Sequence, residues 1–467
     1  MFFLSNILKN HYIIIISLLV PSFAYGNPTL SLQESVQQML QHNVQIKADE
    51  QHLASIRAQV DVAKSYSMPN IQFSTAWRYS NNPLEVFGSK LSQQSVRAAD
   101  FNPNTLNHPS YRQNYQTRLG LSLPLFTAGA LQAATSQAEA HAKSSTLMLD
   151  FQKQQRMYQT IAIYLQVRQA REQQIVQQKS VDVAIKRWND VKALQCKGMA
   201  LMSDVMHAHV YVLQRQQMVS QAKNETANKQ EQLSLIMGNH QDLQTVDLDA
   251  PHIVFNIQPL NRLLEQASDK RLDFKAMQQQ VRMAKAHQEA LKSLDLPKVN
   301  LVAAQTWNSL TPNIQHGNSS VGMTISMNVW DGGGADAQQR RATWEKSELE
   351  WKLQDKQEHI QHEIKQAYRA LRLAKQHIQR QQEAAKQTQE ALRIQSLRYQ
   401  QGLETTSNLL RAQLGSDEAE VSTIQAAYDV MLAKAALLLA AGLLTDVTHS
   451  GEKTVISCLG SVALATP

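Results

Sequence analysis

Apolar and polar positions along the chain change period several times. From Ile71 to Tyr79, Thr117 to Phe126, Val299 to Trp307 and Val321 to Trp330 they alternate or run rich in β-formers, which predicts four strands of about ten residues. Elsewhere the spacing is helical. Ile360, Ile364, Ala367, Leu371, Ala374 and Ile378 advance by alternating steps of four and three, the 3.5-residue seam of a left-handed coiled coil. Gln, Lys, Arg and Glu flank that seam, so one face can pack while another meets water. Further helical patterns run from Leu32 to Tyr66, Ser203 to Met237, Asn261 to Leu294 and Thr405 to Leu444.

Comparing the chain with itself orders these elements into two tandem repeats. Trp330 lies 204 residues after Phe126 at the end of matching strands, Tyr368 lies 204 after Tyr164, and Gly402 lies 204 after Gly198. Upstream the offset differs: Pro297 lies 228 residues after Pro69, so the first repeat carries an extra 24 residues before Pro124. That region contains Asn81-Asn82-Pro83, Asn102-Pro103-Asn104 and His108-Pro109, and is expected to be a loop. Phe126 to Gly198 and Trp330 to Gly402 span 72 residues each, room for two helical rods of roughly 100 Å. The other helices are about half that length, so two stacked end to end would match one rod. Each repeat thus reads helix, strand, loop, strand, long helix, turn, helix.

The N-terminus adds a destination. Lys9 precedes an apolar run from Ile13 to Val20, then Pro21 and the small-residue pattern Ala24-Tyr25-Gly26, which predicts a secretory signal peptide over 1–26. The run is too short for a spanning helix, which needs roughly 20 residues. Val430 to Leu444, the most apolar later stretch, is interrupted by Lys434 and is expected to pack against other helices. A membrane residence would therefore use strands, and the strand lengths suit it. Phe73, Trp77, Tyr79, Tyr115, Phe126, Trp307 and Trp330 lie in or beside those strands, in a chain only 6% aromatic, as interfacial girdles would.

Charge and cysteine content exclude more than they assign. Lys9 is the only charge before residue 27, so the formal +7 of the whole chain leaves +6 for the rest. The basic residues are interspersed with Glu, Asp and Gln rather than gathered into a stripe, which argues against nucleic acid as a partner. Cys196 and Cys458 are too few for a disulfide framework. No cofactor or metal site is expected. Gly332-Gly333-Gly334 follows a strand but lacks the Gly-Lys-Ser/Thr of a phosphate loop, and His207 and His209, two apart on a helix, do not share a face. No catalytic spacing appears, so an enzyme is not expected.

Arg398-Tyr399-Gln400-Gln401-Gly402 with Asn408-Leu409-Leu410-Arg411-Ala412-Gln413 resembles the turn between long inner helix and return helix in the TolC family of outer-membrane efflux proteins. Leu125-Phe126-Thr127-Ala128-Gly129 and Trp330-Asp331-Gly332-Gly333 resemble that family's strand-to-helix corners. The resemblance spans about Leu30 to Leu444. It implies an α+β fold: an outer-membrane β-barrel shared by three protomers, continuing into a long α-helical coiled-coil barrel through the periplasm. The expected organisation is a signal peptide (1–26), a first repeat (27–238), a mixed equatorial connector (239–259), a second repeat (260–444) and a C-terminal tail (445–467).

The same resemblance implies a passive outer-membrane exit duct of a tripartite efflux or type I secretion system. Its partners would be the other copies of a homotrimer, outer-membrane lipid, a periplasmic adaptor and an inner-membrane pump or ABC exporter. Tyr399 and Asp204 match a tip tyrosine and carboxylate that latch neighbouring coils, and Gly198, Met199, Gly402 and Leu403 are candidates for adaptor contact. Where the family presents two carboxylates as acidic aperture rings, this chain has Asn408 and Arg411. They share a helix face, so if that face lines the lumen, threefold symmetry would turn Arg411 into three clustered positive charges; the other reading is that Arg411 turns outward or pairs with Glu404 or Glu418. The alternative is a periplasmic coiled-coil adaptor or scaffold, which would explain the leader and heptads but not two repeats that each carry a pair of membrane-length strands.

Overall fold

The computed structural model describes residues 30–238 and 257–444. The expected signal peptide, residues 239–256 of the connector, and the tail with Cys458 lie outside the described residues.

The described chain runs α1 (Leu32–His42), α2 (Val44–Ser65), β1 (Asn70–Ser80), α3 (Pro83–Ser92), a 3-10 turn (Ala98–Phe101), α4 (Pro103–Asn107), β2 (Arg112–Phe126), α5 (Ala130–Cys196) and α6 (Met202–Met237). The second half follows as α7 (Leu260–Lys270), α8 (Leu272–Leu291), β3 (Lys298–Ser309), β4 (Gly317–Ser326), α9 (Gly334–Gln400) and α10 (Thr406–Ala440). The α+β class and the twofold element order are those expected. Rods α5 and α9 have 67 residues each, about 100 Å of helix. On α9 the seam residues Ile360, Ile364 and Leu371 are buried, with Ala367, Ala374 and Ile378 half-buried between charged flanks.

Three local expectations change. The 24-residue excess is not a bare loop, because Asn82 and Asn102 each accept backbone N–H groups as N-caps with Pro at the first helical position, starting α3 and α4. Asn-Pro pairs serve helix starts as well as turns. The fourth strand begins earlier than its apolar residues suggested, since the polar run Gly317-Asn318-Ser319-Ser320 already pairs with β3, where the Ser319 hydroxyl also donates to Gln305 Oε1, and Met327 to Trp330 fall beyond its end.

The third change is the most informative: the two helices expected to open the repeats, Leu32 to Tyr66 and Asn261 to Leu294, are each broken once. At Asn43 the backbone is extended, its amide donates to the Ile236 carbonyl at 2.7 Å, and its Oδ1 accepts from the Ile46 N–H. At Arg271 the backbone is extended again, and Nη1 donates to the Ala440 carbonyl at 2.8 Å. Each break therefore satisfies a carbonyl orphaned at the end of another helix, α6 or α10. Asn43 and Arg271 are 228 residues apart, and the glycines packed on them, Gly238 and Gly442, are 204 apart. Both glycines are left-handed (φ +70° and +72°), and a Cβ on either would lie 2.8 Å from the carbonyl carbon of His42 or Lys270. The sequence offsets thus describe a duplicated joint.

The main core lies near these joints, where Met39, Ile161, Tyr164, Leu263, Ile364 and Leu437 are fully buried. Among the described helices only α10 is long and apolar enough in composition to cross a membrane. It packs instead on α5 and α9, with Tyr428, Ala435, Leu437 and Leu438 in the shared core.

Candidate functional site

Two regions could carry function: the sheet at one end of the rods and the pair of turns at the other. The four strands form one antiparallel sheet in the order β1-β2-β3-β4, so β1 and β4 are open edges. Register fixes its faces. Ile71 pairs with Leu121, Leu121 with Ala303 and Ala303 with Val321, and Phe73, Trp77, Leu119 and Met323 lie on that same side. The opposite side carries Gln72, Ser74, Arg78, Asn114, Arg118 and Thr306. On the first side Ile71, Phe73, Trp77, Val321 and Met323 are exposed, so this is an apolar wall with no protein layer over it. Trp77, Tyr79 and Tyr111 stack successively at one end of that wall, with centroids 6.3 and 5.0 Å apart.

The insert between β1 and β2 folds over the polar side. Gln93 on its rim donates to Asn114 Oδ1 at 2.8 Å and to the Gln113 carbonyl, while Arg112 donates to Gln93 Oε1 and Ser95 Oγ. A cavity of about 170 Å³ lies between α3 and the polar-side residues Arg78, Asn114, Gln116 and Asn308.

At the opposite end both rods stop in the same way. Gly198 (φ +74°) and Gly402 (φ +75°) take the left-handed position, and the next residues, Met199 and Leu403, donate backbone N–H groups at 2.9 Å to the Leu194 and Arg398 carbonyls. Met199 and Leu403 are 72% and 65% exposed, so each turn presents an apolar side chain at its apex. The return helices start differently in the two repeats. Asp204 accepts from the Leu201 N–H at 3.2 Å, whereas Thr405 Oγ1 accepts from the N–H of Asn408, the residue 204 positions after Asp204.

The expected latch pair does not meet within one protomer. Asp204 is used in its own helix cap, and the Tyr399 hydroxyl lies 3.4 Å from Thr406 Oγ1. The Tyr399 ring packs on a small tip core of Val191, Ala208, Tyr211, Val212 and Leu410. Asn408 and Arg411 do share a face. Asn408 Nδ2 donates to Glu404 Oε1 at 2.6 Å, and Arg411 Nη1 reaches Asn408 Oδ1 at 3.5 Å. The Asn408 amide, followed by the Thr405 N–H, holds the Glu404 carboxyl below its usual range. Arg411 itself is exposed and makes no ion pair among the described residues. His209 stacks on Trp188 at 4.6 Å, while Cys196 and His207 are exposed.

Sequence reasoning missed a buried cluster behind the tip. The Asp417 carboxylate on α10 accepts from the Ser180 hydroxyl on α5, from Gln413 Nε2 at 2.8 Å and from the Tyr211 hydroxyl on α6 at 3.5 Å. Burial, and then the Asp417 charge, push the Tyr211 phenol well above its ordinary pKa. Asp417 thereby ties the second repeat's return helix to the first repeat's hairpin. A signal existed: Asp417 lies seven residues after Leu410, one heptad along a buried stripe.

A family model described as outer membrane efflux protein matches residues 35–239 and 263–443. The fold is similar to a solved membrane protein from Pseudomonas aeruginosa (TM-score 0.76, 17% identity, 88% of this chain and 93% of that one). It is also similar to the outer membrane protein VceC from Vibrio cholerae (0.74, 16%, 88% and 96%) and to the CmeC outer membrane channel of Campylobacter jejuni (0.73, 16%, 88% and 85%). No curated protein matches the chain in sequence.

Proposed function

Because this chain belongs to the outer membrane efflux protein family, we propose that it is the passive exit duct of a tripartite efflux or type I secretion system, working as a homotrimer. The observation that carries the reading is a sheet that is apolar and uncovered on one side, polar on the other, open at both edges and continuous with two 67-residue rods. Four strands cannot close a barrel, and unpaired strand edges are not tolerated in lipid, so β4 of one protomer must meet β1 of the next. Apolar side chains left bare on α9, which leads from the edge strand β4, and on α6 support the same closure. Trp344 and Trp351 on α9, and Met202, Met206, Val210 and Leu213 on α6, are exposed in the single protomer. In a trimer these flanks lie against a neighbour.

The offsets and the duplicated joints support the division into repeats 27–238 and 260–444. The described residues that make up the duct's wall contain no nucleotide-binding loop, so the driving energy is assigned to an inner-membrane pump or ABC exporter. The adaptor is assigned to the tip, where Met199 and Leu403 stand beside Gly198 and Gly402 as exposed apolar side chains, joined on the first turn by Leu201 and Met202. Native mass measurement of detergent-extracted protein should give three chains per particle, and the particle should conduct in planar bilayers. A monomeric conducting particle, or a trimer that never conducts, would overturn the reading. Replacing Met199 and Leu403 with Asp should abolish adaptor capture while leaving conductance intact; unchanged capture would move the docking site elsewhere.

A further inference from the structure

The strands carry charge of one sign only. Among their residues the charged ones are Arg78 on β1, Arg112 and Arg118 on β2 and Lys298 on β3, with no Asp or Glu in any of the four. Register places all four on the polar side: Arg78 pairs with Asn114, Arg118 with Ser74 and Thr306, Arg112 with Ser80, and Lys298 with Ser326. Once the apolar side faces lipid, that polar side is the wall of the lumen.

The four groups are not equivalent. Arg112 is occupied by Gln93 and Ser95, with the Lys90–Asp100 pair behind it at 2.6 Å. Glu85 on α3 lines the cavity beside Arg78 and offsets part of its charge. Arg118 and Lys298 have no carboxylate opposite them in the ladder, and no ion pair holds Arg78, Arg118 or Lys298 among the described residues. The insert, folded onto the same side, narrows the passage next to Arg78. Positive groups on a confined wall, matched only in part by Glu85 and Asp100 of the insert, raise the local concentration of anions and lower that of cations.

We infer that the barrel lumen is an anion-attracting exit, so that the solutes it passes most readily are small organic or inorganic anions carrying carboxylate or phosphate groups. The inference rests on the duct reading, and takes its charge pattern from the strands alone, independently of Arg411 at the far end. Reversal potentials of the full-length trimer in planar bilayers under a potassium chloride gradient test it. The natural protein should favour chloride over potassium. The preference should fade as salt rises from about 10 mM, where screening extends over roughly 30 Å, to about 1 M, where it falls to roughly 3 Å. Arg78→Gln with Arg118→Gln should lower the chloride-to-potassium permeability ratio by about threefold or more, and Arg78→Lys with Arg118→Lys should retain it. Inorganic triphosphate should reduce the natural conductance at low salt and do so less in the glutamine variant. That block, and its loss at high salt, are read on the natural protein alone, so a glutamine variant that fails to assemble leaves the test intact. A conducting natural trimer that prefers potassium, or a glutamine variant with an unchanged ratio, overturns the inference while leaving the duct intact. A trimer that does not conduct overturns the duct itself, and this inference with it.

Discussion

Replacing Arg271 with Met should weaken the second joint more than almost any other single change. The guanidinium is 4% exposed and makes a two-point pair with Asp273 (Nε to Oδ1 at 2.8 Å, Nη2 to Oδ2 at 2.7 Å). Nη1 also donates to Glu363 Oε2 on α9 and to the Ala440 carbonyl, both at 2.8 Å, and the group sits 5.6 Å from the Phe151 ring centroid. Removing it leaves Asp273 buried with Lys356, at 2.8 Å, as its remaining ion-pair partner. Losing one member of a buried pair costs about 3–5 kcal/mol, and Lys356 keeps this case near the lower figure. If the joint forms late in folding, about 3 kcal/mol appears as unfolding roughly a hundredfold faster. Circular dichroism decay of the detergent-solubilised protein at fixed temperature measures that rate. Burial alone would raise the Asp273 pKa, but hydrogen bonds and charge from Arg271 and Lys356 outweigh it, and the net position is below the ordinary value of 3.8. A depressed carboxyl contributes stability that is fully present above the unfolded value and lost as pH falls through the folded one. The difference between natural protein and variant should therefore be flat from neutrality down to the unfolded pKa and shrink only below it. Unfolding of Arg271→Met within about twofold of the natural rate would refute this account. So would a double change, Arg271→Met with Asp273→Asn, that costs the sum of the two single changes.

The glycines give a paired test: Gly238→Ala and Gly442→Ala face both a left-handed backbone and a carbonyl in the way, whereas nothing lies near a Cβ at Gly198 or Gly402. The first two should lose more than about 2 kcal/mol of thermal stability and the tip pair only about 1; equal losses would show that the joint can move aside. Arg411→Asp should shift the reversal potential toward cations, and no shift would mean that this residue does not set the aperture's field. Tyr399→Phe and Asp204→Ala should raise single-channel conductance if the two side chains latch neighbouring coils across the protomer boundary; unchanged conductance would leave them as a packed ring and a helix cap.

What the sequence made legible was whatever the chain does twice. Rods, strands and tip turns announce themselves because offsets of 204 and 228 recur, and because periods of 2 and 3.5 are local properties. The breaks at Asn43 and Arg271 are not local. Neither residue is Gly or Pro, and each interrupts a continuous apolar pattern because the end of a distant helix needs a donor there. The Asn-Pro pairs of the insert were visible but ambiguous, since the same dipeptide opens a turn or starts a helix, and which one follows depends on the downstream residues finding a partner. Asp417 was hidden for a similar reason: a lone acid in a helical stripe is explained only by Ser180 and Tyr211 arriving from another hairpin.

The duplication also separates structural requirement from chemistry inside a single chain. Gly129 and Gly333, Gly198 and Gly402, and Gly238 and Gly442 are pairs 204 residues apart, and all six are left-handed, so identity between the repeats there reflects a backbone that admits little else. The two hairpins differ elsewhere. Asp204 faces Asn408 across the offset, His207 faces Arg411 and Leu213 faces Asp417. All three differences lie on the first four turns of the return helices, the part of the protomer next to the aperture in the proposed trimer. Packing separates only the last pair, Leu213 being exposed and Asp417 buried, whereas Asp204, Asn408, His207 and Arg411 are all partly or fully exposed. The three differences distribute charge unequally between hairpins, with an acid in the cap of one, an arginine without an ion pair among the described residues on the other and a buried acid tying the two together. A ring of three such protomers alternates two kinds of hairpin, so each charge introduced on α10 appears three times rather than six. In the proposed trimer the aperture's field would therefore rest on α10, through Arg411, and the Arg411→Asp reversal potential is the measurement that decides it.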